Sequence, residues 1–138
     1  MKIIDCILYS DEIELLEVRI NYLKESVDYF VLATGNRYHS SAKKQNDFSK
    51  EIQLAYNEGV MLFIVEVDFT KFKIWNFFNL FWKRRLPHYS ETIQRSFAVD
   101  KIKEDFDSKD LLMFSDVDEI PSIKFIDTFG EEGQSQAP

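Results

Sequence analysis

"VMLFIVEV", residues 60–67, holds a single charge, Glu66, in an otherwise apolar run. A run this short and β-branched, hydrophobic at odd and even positions alike, reads as a strand covered on both faces, the habit of a parallel sheet. Just before it, Gly59 closes a helix over 48–58, because glycine adopts the left-handed conformation that ends helices. Outward from this unit, "KIIDCILY" (2–9), "DYFVLAT" (28–34) and "DLLMFS" (110–115) read as further strands. Between the first two, Ile13, Leu16, Ile20 and Leu23 recur at helical spacing, which predicts an amphipathic helix over 12–25. Glu12, Glu14, Glu17, Arg19 and Lys24 fall mostly off that stripe and read as a solvated face, while Asp11 and Glu14 suit a capping box. Another helix is predicted over 90–105, capped by Ser90, with Ile93, Phe97, Ile102 and Phe106 turned inward. Strand and helix alternate throughout, so the expected fold is α/β with a mostly parallel sheet.

Size and charge narrow the function. A chain of 138 residues is one domain by length and buries roughly two-thirds of its unfolded surface. The net charge of −7 argues against a nucleic-acid partner, since the basic residues cluster only at Lys83-Arg84-Arg85. Cys6 is the sole cysteine, so no intrachain disulfide forms, and its apolar neighbours suit a small buried hydrophobe in a reducing compartment. The first residues, "MKIIDCILYSDE", lack a secretory pattern. No apolar stretch reaches the roughly 20 residues of a membrane span. A cytoplasmic location is expected.

The fourth strand opens onto chemistry. "LLMFSDVDEIPS" (111–122) ends its apolar run in Asp116, Asp118 and Glu119, followed by Pro121. In open α/β sheets, ligands bind beyond the carboxyl ends of strands. Carboxylates at i and i+2 of extended backbone share a direction. Two hard oxygen donors with room for water suit Mg²⁺ or Mn²⁺ bound jointly with substrate phosphates, so Asp116 and Asp118 are the candidate metal ligands. An EF-hand is excluded, because its glycine and distal glutamate are missing.

Three ordered blocks, "DEIELLEVRINYLKESVDYFVLATGN" (11–36), "ETIQR" (91–95) and "LLMFSDVDEIP" (111–121), carry a resemblance. They are similar to the blocks of glycosyltransferase family 17, whose members include the enzyme that adds the bisecting β-1,4-linked N-acetylglucosamine to glycoprotein mannose cores. The first block follows that family's Glu-Leu-x-Leu-Leu-Glu-x-Arg pattern, and the last contains its Ser-Asp-Val-Asp-Glu-Ile-Pro. The resemblance covers about residues 1–125, with 69–88 matching poorly. It implies a Rossmann-like, A-type (GT-A-like) fold over 1–129, a UDP-sugar donor such as UDP-N-acetylglucosamine, a glycan acceptor and inversion at the anomeric carbon. It also implies that Asp116 and Asp118 hold the cation against the donor diphosphate, with Glu91 and Arg95 beside the donor. Arg95 offers a fork of donors that matches phosphate. Family members carry an acid where this chain has Thr34 and a glycine near Ser41, so the loop after the second strand is expected to bind differently. Members are longer, and the part that would supply the acceptor site and the catalytic base lies beyond these blocks.

Other readings stand beside these. Glu91 and Arg95, at i and i+4, also suit a plain exposed helix pair. Glu12 is a candidate for lining the donor site, and Asp5 for a local polar contact. His39 and His88 read as surface residues. "FKIWNFFNLFWKRR" (72–85) fits core packing, an uncovered apolar patch or an interfacial helix making peripheral contact with the inner face of a membrane. The tail over 130–138 changes composition and is expected to be disordered. Alternatives to a working transferase are a non-catalytic nucleotide-sugar-binding domain, half of a two-chain enzyme, or a haloacid-dehalogenase-like phosphatase, which also sets Asp-x-Asp after an apolar strand.

Overall fold

A computed structural model describes residues 1–35, 47–67 and 86–135, without the side chains of 86–94 and 130–135. Among them, four strands, β1 (Ile3–Leu8), β2 (Tyr29–Gly35), β3 (Leu62–Val67) and β4 (Leu111–Asp116), form one sheet in the order β3-β2-β1-β4. Every pairing is parallel. Helices α1 (Ile13–Leu23), α2 (Ser49–Glu58), α3 (Leu86–Asp105) and α4 (Ile123–Ser135) alternate with them. The arrangement is Rossmann-like, as expected.

Pleating divides the strand side chains between two cores. Ile7, Tyr9, Phe30 and Leu32 pack with Leu16, Ile20 and Leu23 of α1, Leu54 of α2 and Ile126 of α4. Ile4, Cys6, Val31 and Ala33 pack on the other face against Ala98 and Ile102 of α3. The chain thus lays α1 and α2 on one face as it moves outward from β1, then returns with α3 on the other to reach β4. The direction reverses between β1 and β4, and this is the switch point where open α/β sheets form a crevice. At the opposite end of the sheet, Asp110 Oδ1 accepts the Lys2 N–H at 2.8 Å and Asp28 Oδ2 accepts the Ile3 N–H at 2.7 Å, which secures the register. The Lys2 bond also holds the Asp110 carboxyl below its ordinary pKa.

Several expectations need correction. β3 is parallel as predicted, but it lies at the end of the strand order, and Phe63 is 38% exposed, so it is not sealed on both faces. The N-cap of α1 is Glu12 rather than Asp11, and it makes no side-chain cap bond. Instead Glu12 Oε2 turns back to the N–H groups of Ser10 and Asp11, and the ladder runs one residue past β1, where the Tyr9 N–H bonds Ala33 O at 3.0 Å. Helix α3 begins at Leu86, ahead of Ser90, with Pro87 in its first turn, where a missing N–H costs nothing. On α3 it is Ala98 that is fully buried, while Phe97 is only partly so. Helix α4 continues to Ser135, into the stretch whose composition predicts disorder; Ile126 anchors the helix in the core. The 72–85 segment and His39 lie outside the described residues, as do the side chains of Ile93 and His88. No described helix is long and apolar enough to cross a membrane.

Gly59 ends α2 at φ 67°, with its N–H on Tyr56 O and the Val60 N–H on Ala55 O at 3.2 and 3.1 Å. That is a Schellman closure, and it needs the left-handed residue that the sequence supplies.

Candidate functional site

β4 delivers its acids beside the end of β1. Asp116 lies opposite Leu8 in the parallel register. Phe114 packs on the α3 face, and Asp116, two residues on, meets Arg95 of α3, whose Nη2 lies 3.4 Å from Asp116 Oδ1. The same guanidinium sits 5.7 Å from the centre of the Phe114 ring, within the range of a cation–π contact. Asp116 and Arg95 are each close to half exposed, at 45% and 47%, so this pair is open to a ligand.

Beyond Asp116 the chain folds into a turn. The Glu119 N–H donates to Asp116 O at 3.0 Å, and the Asp116 N–H reaches Glu119 Oε2 at 3.4 Å. Ser115 Oγ donates to Glu119 O at 3.0 Å. Val117 points into the core, whereas Asp118 and Glu119 are exposed. One buried apolar residue therefore pins a turn that presents three carboxylates.

What holds the turn from beneath is Arg19, which is fully buried. Its Nε and Nη2 grip Asp5 Oδ2 and Oδ1 at 2.8 and 2.7 Å, the two-pronged geometry that suits guanidinium and carboxylate. Nη2 also donates to Ser115 Oγ at 2.7 Å. Nη1 donates to the carbonyl of Asp116 at 2.6 Å, with those of Glu119 at 3.2 Å and Val117 at 3.4 Å also in reach. The carbonyls of the turn thus face inward onto one cation, while the side chains of Asp116, Asp118 and Glu119 stay at least partly exposed.

The exit of β1 carries a second buried polar pair. Tyr9 OH donates to Glu51 Oε1 of α2 at 2.6 Å, and both residues are buried. Burial and that bond push the tyrosine pKa well up. Glu51 Oε2 is buried without a hydrogen-bond partner among the described residues. Glu12 curls back onto its own loop, where Oε2 accepts the N–H groups of Ser10 and Asp11 at 3.0 Å each.

A family model described as Glycosyltransferase family 17 matches residues 1–131. The chain belongs to this family. No curated protein and no solved structure matches it. Membership makes the chain a glycosyltransferase by family, with a sugar donor and an acceptor as the partners such a family implies. It sets the phosphatase reading aside.

Within this family 17 chain, the fold brings Asp116 and Arg95 together and sets Asp118 on the same turn. Glu91 lies on α3 one turn before Arg95, with its side chain outside the described residues. Glu12 is occupied with its own loop. The sequence reading missed Arg19, which it assigned to the solvated face. Its position gives the missing signal: residue 19 lies three after Leu16 and four before Leu23, so it falls on the buried stripe. A charge there, together with Asp5 inside an apolar strand, calls for a buried pair.

Proposed function

We propose that the chain binds the diphosphate of a UDP-sugar, UDP-N-acetylglucosamine by class, through Mn²⁺ or Mg²⁺ held by Asp116 and Asp118. In this reading the fold is the nucleotide-sugar-binding part of an A-type glycosyltransferase that transfers its sugar, with inversion, to a glycan hydroxyl. The observation that carries the reading is the acidic turn at the switch point with Arg95 beside it. Among the described residues no three His, Cys, Asp or Glu side chains form a metal cage. The donor set therefore fits a cation that takes one or two carboxylates from protein and completes its shell with phosphate and water. Arg19 draws the carbonyls of the turn inward, which leaves carboxylate oxygens as the ligands on offer.

The residues of the chain divide the work. Asp116 and Asp118 supply negative charge where the diphosphate docks. Arg95 gives Asp116 a counter-charge and is placed to donate to phosphate oxygens once a cation takes that role. When bound, the cation supplies Lewis-acid stabilisation of the departing nucleotide diphosphate. No described residue is assigned as the base that activates the acceptor.

Calorimetric titration with UDP, in the presence and absence of Mn²⁺, tests the reading on the wild-type chain and on Asp118→Ala. Binding that requires Mn²⁺ and is lost in the variant is the expected result. Equal binding without metal, or an unaffected variant, overturns it. Slow hydrolysis of UDP-N-acetylglucosamine in the same samples would mark an active transferase, and its absence a domain that only binds the donor.

A further inference from the structure

Asp5 and Arg19 pair beneath the switch point from β1 and α1, and the other donors of Arg19 go to the end of β4 and the turn that follows it. A buried ion pair is a poor way to stabilise a core, because desolvation offsets most of the attraction, and apolar residues of similar volume do as well. Here the pair performs a second task. With Asp5 holding one edge of the guanidinium through Nε and Nη2, its other donors can point only one way, and that way leads to the Ser115 hydroxyl and to the carbonyls of Asp116, Val117 and Glu119. Asp5 lies opposite Met113 in the register, two residues before Ser115, so the pair is set directly under the start of the turn.

We propose that Arg19, oriented by Asp5, is a positioning residue for the metal-binding turn, fixing the peptide planes of 115–119 so that the carboxylates of Asp116 and Asp118 converge on the donor diphosphate. The inference rests on the proposed donor site. Arg19 itself touches neither cation nor donor. It acts by denying the turn its alternative conformations, since the two N–H groups of Nη1 are served by the carbonyls of the turn, the shortest bond going to Asp116 O, and turning those carbonyls outward would leave buried donors unpaired. Lysine in its place keeps the charge and loses the planar fork that serves Asp5 and the turn together.

The test compares Arg19→Lys, the paired apolar replacement Asp5→Leu with Arg19→Met, and Ser115→Ala, which removes one contact yet leaves the buried pair. Three readouts are taken on the full chain: thermal melting, amide hydrogen exchange at Val117 to Glu119, and Mn²⁺ electron paramagnetic resonance titrated with UDP. The paired apolar variant is expected to melt near the wild-type temperature while exchange at Glu119 accelerates. Its affinity for Mn²⁺–UDP should fall roughly 10–100-fold, the range for residues that orient metal ligands. Arg19→Lys and Ser115→Ala should show the same loosening to a lesser degree. Unchanged exchange and unchanged Mn²⁺–UDP affinity in variants that still fold would overturn the inference. If the paired variant fails to fold, Ser115→Ala and Arg19→Lys decide by the same criteria. A wild-type chain that does not bind Mn²⁺–UDP overturns the donor site instead, and the exchange rates still report whether Arg19 orders the turn.

Discussion

Replacing Arg95 with glutamine (R95Q) changes two affinities in opposite directions if the site works as proposed. Arg95 Nη2 lies 3.4 Å from Asp116 Oδ1 with both side chains nearly half exposed. Such a pair contributes about 0–1 kcal/mol to stability, so the variant should melt close to the wild type. A cation arriving without nucleotide must displace Arg95 from that oxygen. Removing the competition should tighten Mn²⁺ alone by up to about fivefold, since about 1.4 kcal/mol corresponds to tenfold. The nucleotide behaves otherwise. Loss of a hydrogen bond from a charged donor costs about 1.5–3 kcal/mol, which weakens UDP by roughly 10–150-fold at saturating Mn²⁺. Calorimetry supplies both numbers: Mn²⁺ into the chain, then UDP into the Mn²⁺-loaded chain. Because the pair is exposed, the gain in Mn²⁺ affinity should shrink as salt rises. Affinities that move together, or that both stay unchanged, would refute the idea that Arg95 trades a carboxylate for a phosphate.

Three further outcomes follow from the packing. Asp5→Ala strands the Arg19 charge in the core and should cost about 3–5 kcal/mol in urea unfolding, far more than the paired apolar replacement; equal losses would refute the account of the pair. Gly59→Ala should cost about 1–2 kcal/mol, because a Cβ at φ 67° meets no neighbour and only the left-handed backbone is penalised; a variant as stable as wild type would contradict this. Tyr9 titrates above its unfolded value because of burial and its bond to Glu51, so its contribution is fully present below pH ~10 and is lost as pH rises further. The stability gap between wild type and Tyr9→Phe should therefore narrow at alkaline pH, and a gap independent of pH would refute the buried tyrosine–carboxylate bond.

The alternation of strands and helices was legible because each strand is a short apolar run between turn formers and each inner helix carries a clear stripe. The acidic turn was legible as well: an apolar strand ending in Asp116 is an arrangement that sheet topology makes meaningful. Strand order was not. A nearly continuous apolar run such as 60–67 reads the same at the middle of a sheet and at its edge, since composition records hydrophobicity and not which neighbour supplies the cover. The role of Arg19 was hidden by a rule that places charge on the solvent side of a helix. That rule fails where a second charge is buried within reach, and Asp5 lies fourteen residues away in sequence. Glu51 escaped notice for a similar reason, because its partner, Tyr9, belongs to a different element.

The most direct measurement is anomalous diffraction at the manganese edge from crystals grown with UDP and Mn²⁺. The account predicts a single strong peak between the side chains of Asp116 and Asp118, bridged to nucleotide diphosphate density, with the Arg95 guanidinium turned from Asp116 toward a phosphate oxygen. Nucleotide bound away from the end of β4, or diphosphate at that turn with no manganese between it and the two aspartates, would contradict it.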